Sequence, residues 1–421
     1  MKNVIYKPFA PHGEVSVPPS KSDVHRAVIC AMLSGGICKI SPVALSNDIN
    51  ATIDCARALG AKIELENDIL TVDGTEVFKN KTAVLDCGES GSTLRFFVPV
   101  AAAGGVSASF EGHGSLVSRP VGIYADILPQ NGVECHTGGR LPLSVSGQLK
   151  SGRFELPGNI SSQFITGLLF ALPLLEGDSD IVLTSPPESV GYIEMTLRTM
   201  SKFGVSVEAT DDGWHISGGQ IYVPTDYTTD GDWSQAAFFM VSAAIGGSVT
   251  VKNVSKSSAQ GDREIAKILR RFGARVEQSE NRVTVEKGEM SALILDASQI
   301  PDLVPALAVC ACFAEGTTRI INAARLRLKE SDRLSSTADM INALGGKVRE
   351  LADGLEITGV GRLSGGSVDG CNDHRIVMAA AACASGADGE IICSDALSVN
   401  KSFPNFFEVY NSFGGHAELI D

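Results

Sequence analysis

Six glycines, Gly60, Gly132, Gly204, Gly273, Gly345 and Gly414, stand 72, 72, 69, 72 and 69 residues apart, and each ends the helix of the same local phrase. The phrase is an amphipathic helix, a short strand, a turn and another strand: ATIDCARALGAKIEL, YADILPQNGVEC, TLRTMSKFGVSVE, IAKILRRFGARVE, ADMINALGGKVRE and FFEVYNSFGGHAEL. A fixed period marks a chain that uses one supersecondary unit repeatedly. A second phrase keeps the same beat, an apolar helix of small residues closed by Gly before a strand: AVICAMLSGG, FFVPVAAAGG, ITGLLFALPLLEG, AAFFMVSAAIGG, VPALAVCACFAEG and IVMAAAACASG. Helices apolar nearly all round belong inside, whereas the first kind keeps a polar face. Each unit therefore holds one buried helix, one amphipathic helix and several strands.

The sixth copy reaches Asp421 just after its first strand, lacking the closing strands of the others. NVIYKPFAPHGEVSVPPS at the N-terminus has the same strand, Gly turn, strand and polar linker as GLEITGVGRLSGGSVDGCND, so the first nineteen or so residues are expected to complete the sixth unit. The expected fold class is α/β, with two similar domains of three repeats each: 20–229, and 1–19 with 230–421. A chain of 421 residues also exceeds what one core organises. An open solenoid has fixed spacing too, but completion of the last copy by the first residues favours closed domains.

The net charge of −14 argues against a nucleic-acid or anionic-membrane partner. No apolar run of signal-peptide length occupies Met1 to Ala10, and stretches such as Phe96 to Ala103 are too short to span a bilayer, so a cytoplasmic protein is expected. The ten cysteines include no C-x-x-C, and Cys30, Cys310, Cys312 and Cys383 sit in apolar helical runs where a reduced Cys is a small hydrophobe. Neither a disulfide framework nor a zinc site is expected.

Polar residues gather just before the apolar helices: Ser20-Lys21-Ser22, Gly91-Ser92-Thr93 with Arg95, Ser161-Ser162-Gln163, Asp232-Trp233-Ser234-Gln235, Asp302 and Asn372-Asp373-His374-Arg375. Ser, Asp and Asn are ordinary N-caps there. Lys21, Arg26, Arg95 and Arg375 are not, because a cation in the first turn opposes the helix dipole, and a bound anion would remove the conflict. The amphipathic helices open similarly, with Arg119, Ser189 and Tyr192, the KESDR run of Lys329, Glu330, Asp332 and Arg333, and Lys401. A lone surface cation is usually just solvated; equivalent ends of repeated units are expected to face one interdomain region suited to a polyanionic ligand. No phosphate-loop or dinucleotide fingerprint is present, and Ser398-x-x-Lys401 has no K-T-G companion.

SKSDVHRA (20–27), ESGSTLR (89–95), SRP (118–120), SSQF (161–164), LKESDRL (328–334) and NDHRIVMA (372–379) resemble the signature of the 5-enolpyruvylshikimate-3-phosphate synthase family, from P-P-S-K-S near the start to S-V-N-K-S-F-P near the end. The resemblance implies helices packed inside sheets, an inside-out α/β barrel in each domain. It implies transfer of the carboxyvinyl group of phosphoenolpyruvate to the 5-hydroxyl of shikimate 3-phosphate in aromatic amino acid biosynthesis, with no metal or organic cofactor, by a monomer. By motif, Lys21, Ser22, Arg26, Ser161, Ser162, Gln163, Ser189, Asp302 and Lys329 would hold shikimate 3-phosphate. Lys21, Gly91, Arg119, Gln163, Arg333, Arg375 and Lys401 would surround phosphoenolpyruvate, in a pocket also filled by the slightly longer inhibitor glyphosate. Asp302 would be the base, Glu330 the acid, and Lys21 would stabilise developing charge and the departing phosphate. Four residues before the motif lysine, some members carry Asn where this chain has Arg325.

Two other readings compete. UDP-N-acetylglucosamine enolpyruvyl transferases carry a reactive Cys five residues before their R-P arginine, where this chain has Gly114, and do not carry SSQF. A non-catalytic anion-binding repeat protein would need the cations but not the carboxylates Asp302 and Glu330.

Overall fold

A computed structural model describes residues 2–421, which divide into two compact units: Pro19–Thr229, here the first unit, and the segment up to Pro18 with Asp230–Asp421, the second. Each has its own apolar core. The six repeats supply helix pairs in chain order. They are α1 (Lys21–Leu33) and α2 (Asn47–Ala58), α3 (Gly91–Ala103) and α4 (Gly122–Ile127), α5 (Ser162–Ala171) and α6 (Val190–Lys202). The second unit continues with α7 (Trp233–Gly246) and α8 (Ile265–Phe272), α9 (Val304–Ala311) and α10 (Arg333–Ala343), α11 (His374–Cys383) and α12 (Phe406–Ser412).

The odd-numbered helices are the apolar ones, and nearly every residue of each is buried. In the second unit α7, α9 and α11 pack on one another; in the first, α3 and α5 lie closest. Gly167 permits that approach, since a Cβ there would stand 2.3 Å from the Arg95 carbonyl oxygen. Among the described residues no helix is long and apolar enough to cross a membrane.

Each unit contains three four-stranded sheets. Strands such as Ser248–Lys252 and Arg282–Glu286 alternate buried and less buried residues, turning one face to the helices and one to water. In the second repeat, Thr82–Asp86 runs parallel to Ser107–Glu111, which pairs antiparallel with Leu143–Gly147, itself antiparallel to Val133–Thr137. The other five sheets repeat this order.

The chain then hands one strand on: after Leu143–Gly147 it forms Arg153–Leu156, which opens the third sheet. At the end of the third repeat, Tyr227–Thr228 returns to pair with Ile37–Ser41 of the first sheet, so the hand-over is cyclic. In the second unit, Asn3–Tyr6 sits between Ile391–Cys393 and Ala417–Ile420 and fills the sixth sheet. The following strand, Glu14–Ser16, belongs to the fourth sheet beside Ser248–Lys252. This corrects the expectation that the whole N-terminal segment completes the sixth unit. The strand after the Gly turn always opens another sheet, and its partner is too remote for the phrase itself to reveal.

The period has a conformational cause. All six repeat glycines adopt left-handed backbone, with φ from +81° at Gly204 to +117° at Gly273. That stops each amphipathic helix and turns the chain into its strand. At Gly273 a Cβ would also lie 2.0 Å from the Glu289 carbonyl oxygen.

Candidate active site

Because every repeat turns the same way, the start of its buried helix adjoins the approach to its amphipathic helix. In five repeats the touching residues are 27 to 29 positions apart: Lys21 with Asp48, Gly91 with Arg119, Ser234 with Asp262, Asp302 with Lys329, and Asn372 with Lys401. Helix N-termini and their orphan N–H groups thus come paired with a chemically variable side chain.

In the second unit three carboxylates and three cations form one cluster. Arg333, 1% exposed, donates to Asp302 at 2.9 Å, to Glu330 at 2.5 Å and through Nε to Asp373 at 2.8 Å. Arg375 donates to the other Asp302 oxygen at 2.9 Å, and Lys329 Nζ lies 3.6 Å from Asp302. Asp373 caps α11 by accepting from the Arg375 N–H and also receives the Ser331 hydroxyl. Lys401 Nζ donates to the Asn372 carbonyl at 2.7 Å.

Burial pushes the Asp302 carboxyl up, but Arg375, Lys329 and Arg333 together hold it well below the usual carboxylate range. Burial lowers the Lys329 ammonium to about 8, against the pull of Asp302. The Arg333 guanidinium is raised further despite burial, because Asp373, Glu330 and Asp302 surround it. Burial, with the Asp302 charge, raises Asp262 to about 7, opposed by Arg375 and by the Ser234 hydroxyl bonded to it.

The first unit holds three groupings. Lys21 Nζ pairs with Asp48 Oδ2 at 2.6 Å. Arg26 is fastened to α6 through Thr196 Oγ1 at 2.8 Å and the Tyr192 carbonyl at 2.9 Å, with a third bond to the Ser22 carbonyl. Burial lowers that guanidinium to about 10. Ser189, buried and with φ +55°, precedes the first turn of the same α6. Gln163 accepts from Arg95 at 2.6 Å and donates to Ser92 at 2.8 Å, which links α3 to α5. Ser161 caps α5, and Ser162 is buried behind it. Gly91 opens α3 directly against Arg119, whose Cζ would lie 2.7 Å from a Cβ on Gly91.

The structure therefore gathers Asp302, Lys329, Glu330, Arg333 and Arg375, puts Lys401 on the residue before Asp373, and joins Gly91 to Arg119. Asp48, Asp262, Asp373 and Thr196 belong to these groupings and were not singled out as site residues by the sequence. Asp373 lay inside a quoted motif, but a capping Asp and a buried counter-ion look alike in sequence. The partnership 27 residues after Lys21 has a signal only once the repeat is known. Arg325, where some relatives have Asn, donates to the Ser298 carbonyl at 2.6 Å. Among the described residues no three His, Cys, Asp or Glu side chains group as metal ligands, and all ten cysteines are free thiols.

Residues 6–410 match the family model described as EPSP synthase (3-phosphoshikimate 1-carboxyvinyltransferase). The chain is 44% identical to the 3-phosphoshikimate 1-carboxyvinyltransferase of Clostridium kluyveri, covering 99% of both chains. It is 41% identical to that of Clostridium novyi, covering 99% of this chain and 98% of the relative. Among solved structures, an EPSP synthase from Acinetobacter baumannii superposes with a TM-score of 0.84 at 28% identity, covering all of both chains.

Proposed function

Since the chain belongs to the EPSP synthase family and transfers the carboxyvinyl group of phosphoenolpyruvate to shikimate 3-phosphate, we propose that the groupings above divide this reaction among them. Lys21, Ser22, Arg26, Ser161, Ser162, Gln163, Ser189, Asp302 and Lys329 bind shikimate 3-phosphate. Lys21, Gly91, Arg119, Gln163, Arg333, Arg375 and Lys401 bind phosphoenolpyruvate. The enzyme acts in the cytoplasm as a monomer, on small anions rather than nucleic acid or membrane. Its charge of −14 fits that choice, with cations concentrated where substrate charge falls.

The carrying observation is that Asp302 and Glu330 share one guanidinium, Arg333, inside the cation cluster. Glu330 delivers a proton to the methylene carbon of phosphoenolpyruvate, the 5-hydroxyl attacks the adjacent carbon, and Asp302 takes the hydroxyl proton. The tetrahedral adduct then expels phosphate and loses a methyl proton to restore the double bond. Without ligand, Asp302 is too stabilised to be a good base. Substrate phosphate and carboxylate groups that engage Lys329 and Arg375 weaken that hold and raise its basicity. Phosphate release measured with each substrate omitted in turn tests the assignment of the reaction: release must require both.

Lys329 gives a pH signature. Its ammonium, lowered to about 8, loses its proton as pH rises, so kcat/KM for shikimate 3-phosphate falls by about tenfold per unit above that point. In Lys329→Arg the limb moves beyond pH 10, and an unmoved limb assigns the titration to another group.

Gly91→Ala separates two ligands of one pocket. The added methyl pushes on the Arg119 guanidinium at 2.7 Å, a displacement its flexible stem absorbs, and narrows the opening of α3. KM for phosphoenolpyruvate rises modestly, and the inhibition constant for the longer glyphosate rises by a larger factor. Paired titrations check this; equal factors mean general damage, and no change places Gly91 outside the pocket.

A further inference from the structure

Beneath Lys21 and Gly91 runs a chain of four polar side chains that the reaction scheme does not use. His25 Nδ1 lies 2.6 Å from Thr52 Oγ1, Thr52 Oγ1 lies 2.7 Å from Thr93 Oγ1, and the Thr93 hydroxyl donates to Ser90 Oγ at 2.7 Å. His25, Thr52 and Thr93 are 0% exposed and Ser90 is 1% exposed. The chain crosses α1, α2 and α3 and ends on the residue that caps α3, where Ser90 Oγ also accepts the Thr93 N–H at 3.2 Å. Ser90 is followed by Gly91.

The direction of the chain follows from its hydrogens. A hydroxyl has one to give. The Thr93 hydrogen goes to Ser90, so Thr52 must donate to Thr93, and Thr52 in turn accepts from His25. The imidazole is therefore the Nδ1–H tautomer, with Nε2 buried and without a hydrogen-bond partner, and its ring stands edge-on to Phe96 at 6.4 Å. Burial, reinforced by Lys21 and Arg26, depresses its proton affinity well below the ordinary histidine value, so the ring stays neutral. A neutral donor is what this place requires: a second ammonium between Lys21 and Arg26 would repel both.

We propose that His25 is a positioning residue for phosphoenolpyruvate, acting through Thr52 and Thr93 to fix the Ser90 cap and the opening turn of α3 that carries Gly91. This rests on the placement of phosphoenolpyruvate at Gly91 and Arg119. The near-isosteric Thr52→Val interrupts the chain in the middle, and His25→Leu removes its origin. Each raises KM for phosphoenolpyruvate by about five- to thirtyfold, the effect expected of one lost buried hydrogen bond. KM for shikimate 3-phosphate stays within about twofold in both. Combining them does little more than either alone, because both break one chain. His25→Asn, whose side-chain amide N–H takes the place of Nδ1–H, restores the native KM.

A lowered melting temperature with both KM values unchanged, or equal rises in both, overturns the proposal. Arg119→Ala tests the underlying placement separately. If it leaves KM for phosphoenolpyruvate unmoved, the placement fails. If it raises that KM while Thr52→Val does not, the placement stands and the role of His25 falls. Should His25→Leu not fold, Thr52→Val carries the test alone.

Discussion

Asp302→Asn lowers kcat by about 10²–10⁴-fold, the loss typical of a removed acid–base group. The exchange keeps shape and one oxygen, so Arg333 or Arg375 retains an acceptor, but the amide cannot take the hydroxyl proton. Binding moves in the other direction. Lys329, Arg333 and Arg375 lose one of the carboxylates that occupy them, and that carboxylate sits well below the usual range because of them. Affinity for shikimate 3-phosphate therefore holds or improves while turnover collapses. Single-turnover phosphate release with a parallel binding titration separates the two; near-normal turnover removes Asp302 from the role of base.

Arg333→Gln is the costliest change for stability. Arg333 and Asp373 are 1% and 0% exposed, and the guanidinium also serves Asp302 and Glu330. Removing one member of a buried ion pair leaves its partner's charge uncompensated, at a cost of about 3–5 kcal/mol. Arg333→Lys keeps the charge but not the planar fork that reaches three carboxylates, and falls between. Urea denaturation measures both. A loss under about 1 kcal/mol for Gln, the range of an exposed pair, would show that solvent reaches the cluster.

These predictions draw unequally on what could be read in advance. The repeat glycines were legible because left-handed backbone demands Gly at one fixed point of each unit, and a fixed demand writes a period. The buried helices were legible because burial on all sides leaves little room for polar residues. The catalytic carboxylates were legible through motif resemblance, and the first turns through cations placed against the helix dipole. The partners were not. Asp48 lies in an ordinary helix start, and Thr52 and Thr93 look like indifferent helix residues until three helices are packed together. Glu14–Ser16 reads as the twin of any closing strand, since a strand carries no mark of the sheet it will join.

The cyclic hand-over of strands sets a timetable for the growing polypeptide. All strands of the first unit lie within Pro19–Thr229, so its sheets are complete soon after Tyr227–Thr228 emerges from the ribosome. The second unit has no such freedom. Asn3–Tyr6, made almost first, must wait for Ile391–Cys393 and Ala417–Ile420, made last, and Val4 finally faces Cys393. Throughout synthesis that segment is an unpaired strand, open to the wrong edge, and closing its sheet is among the most sequence-distant pairings the chain makes. Slow acquisition of activity long after the first unit has folded is the expected signature of such an order.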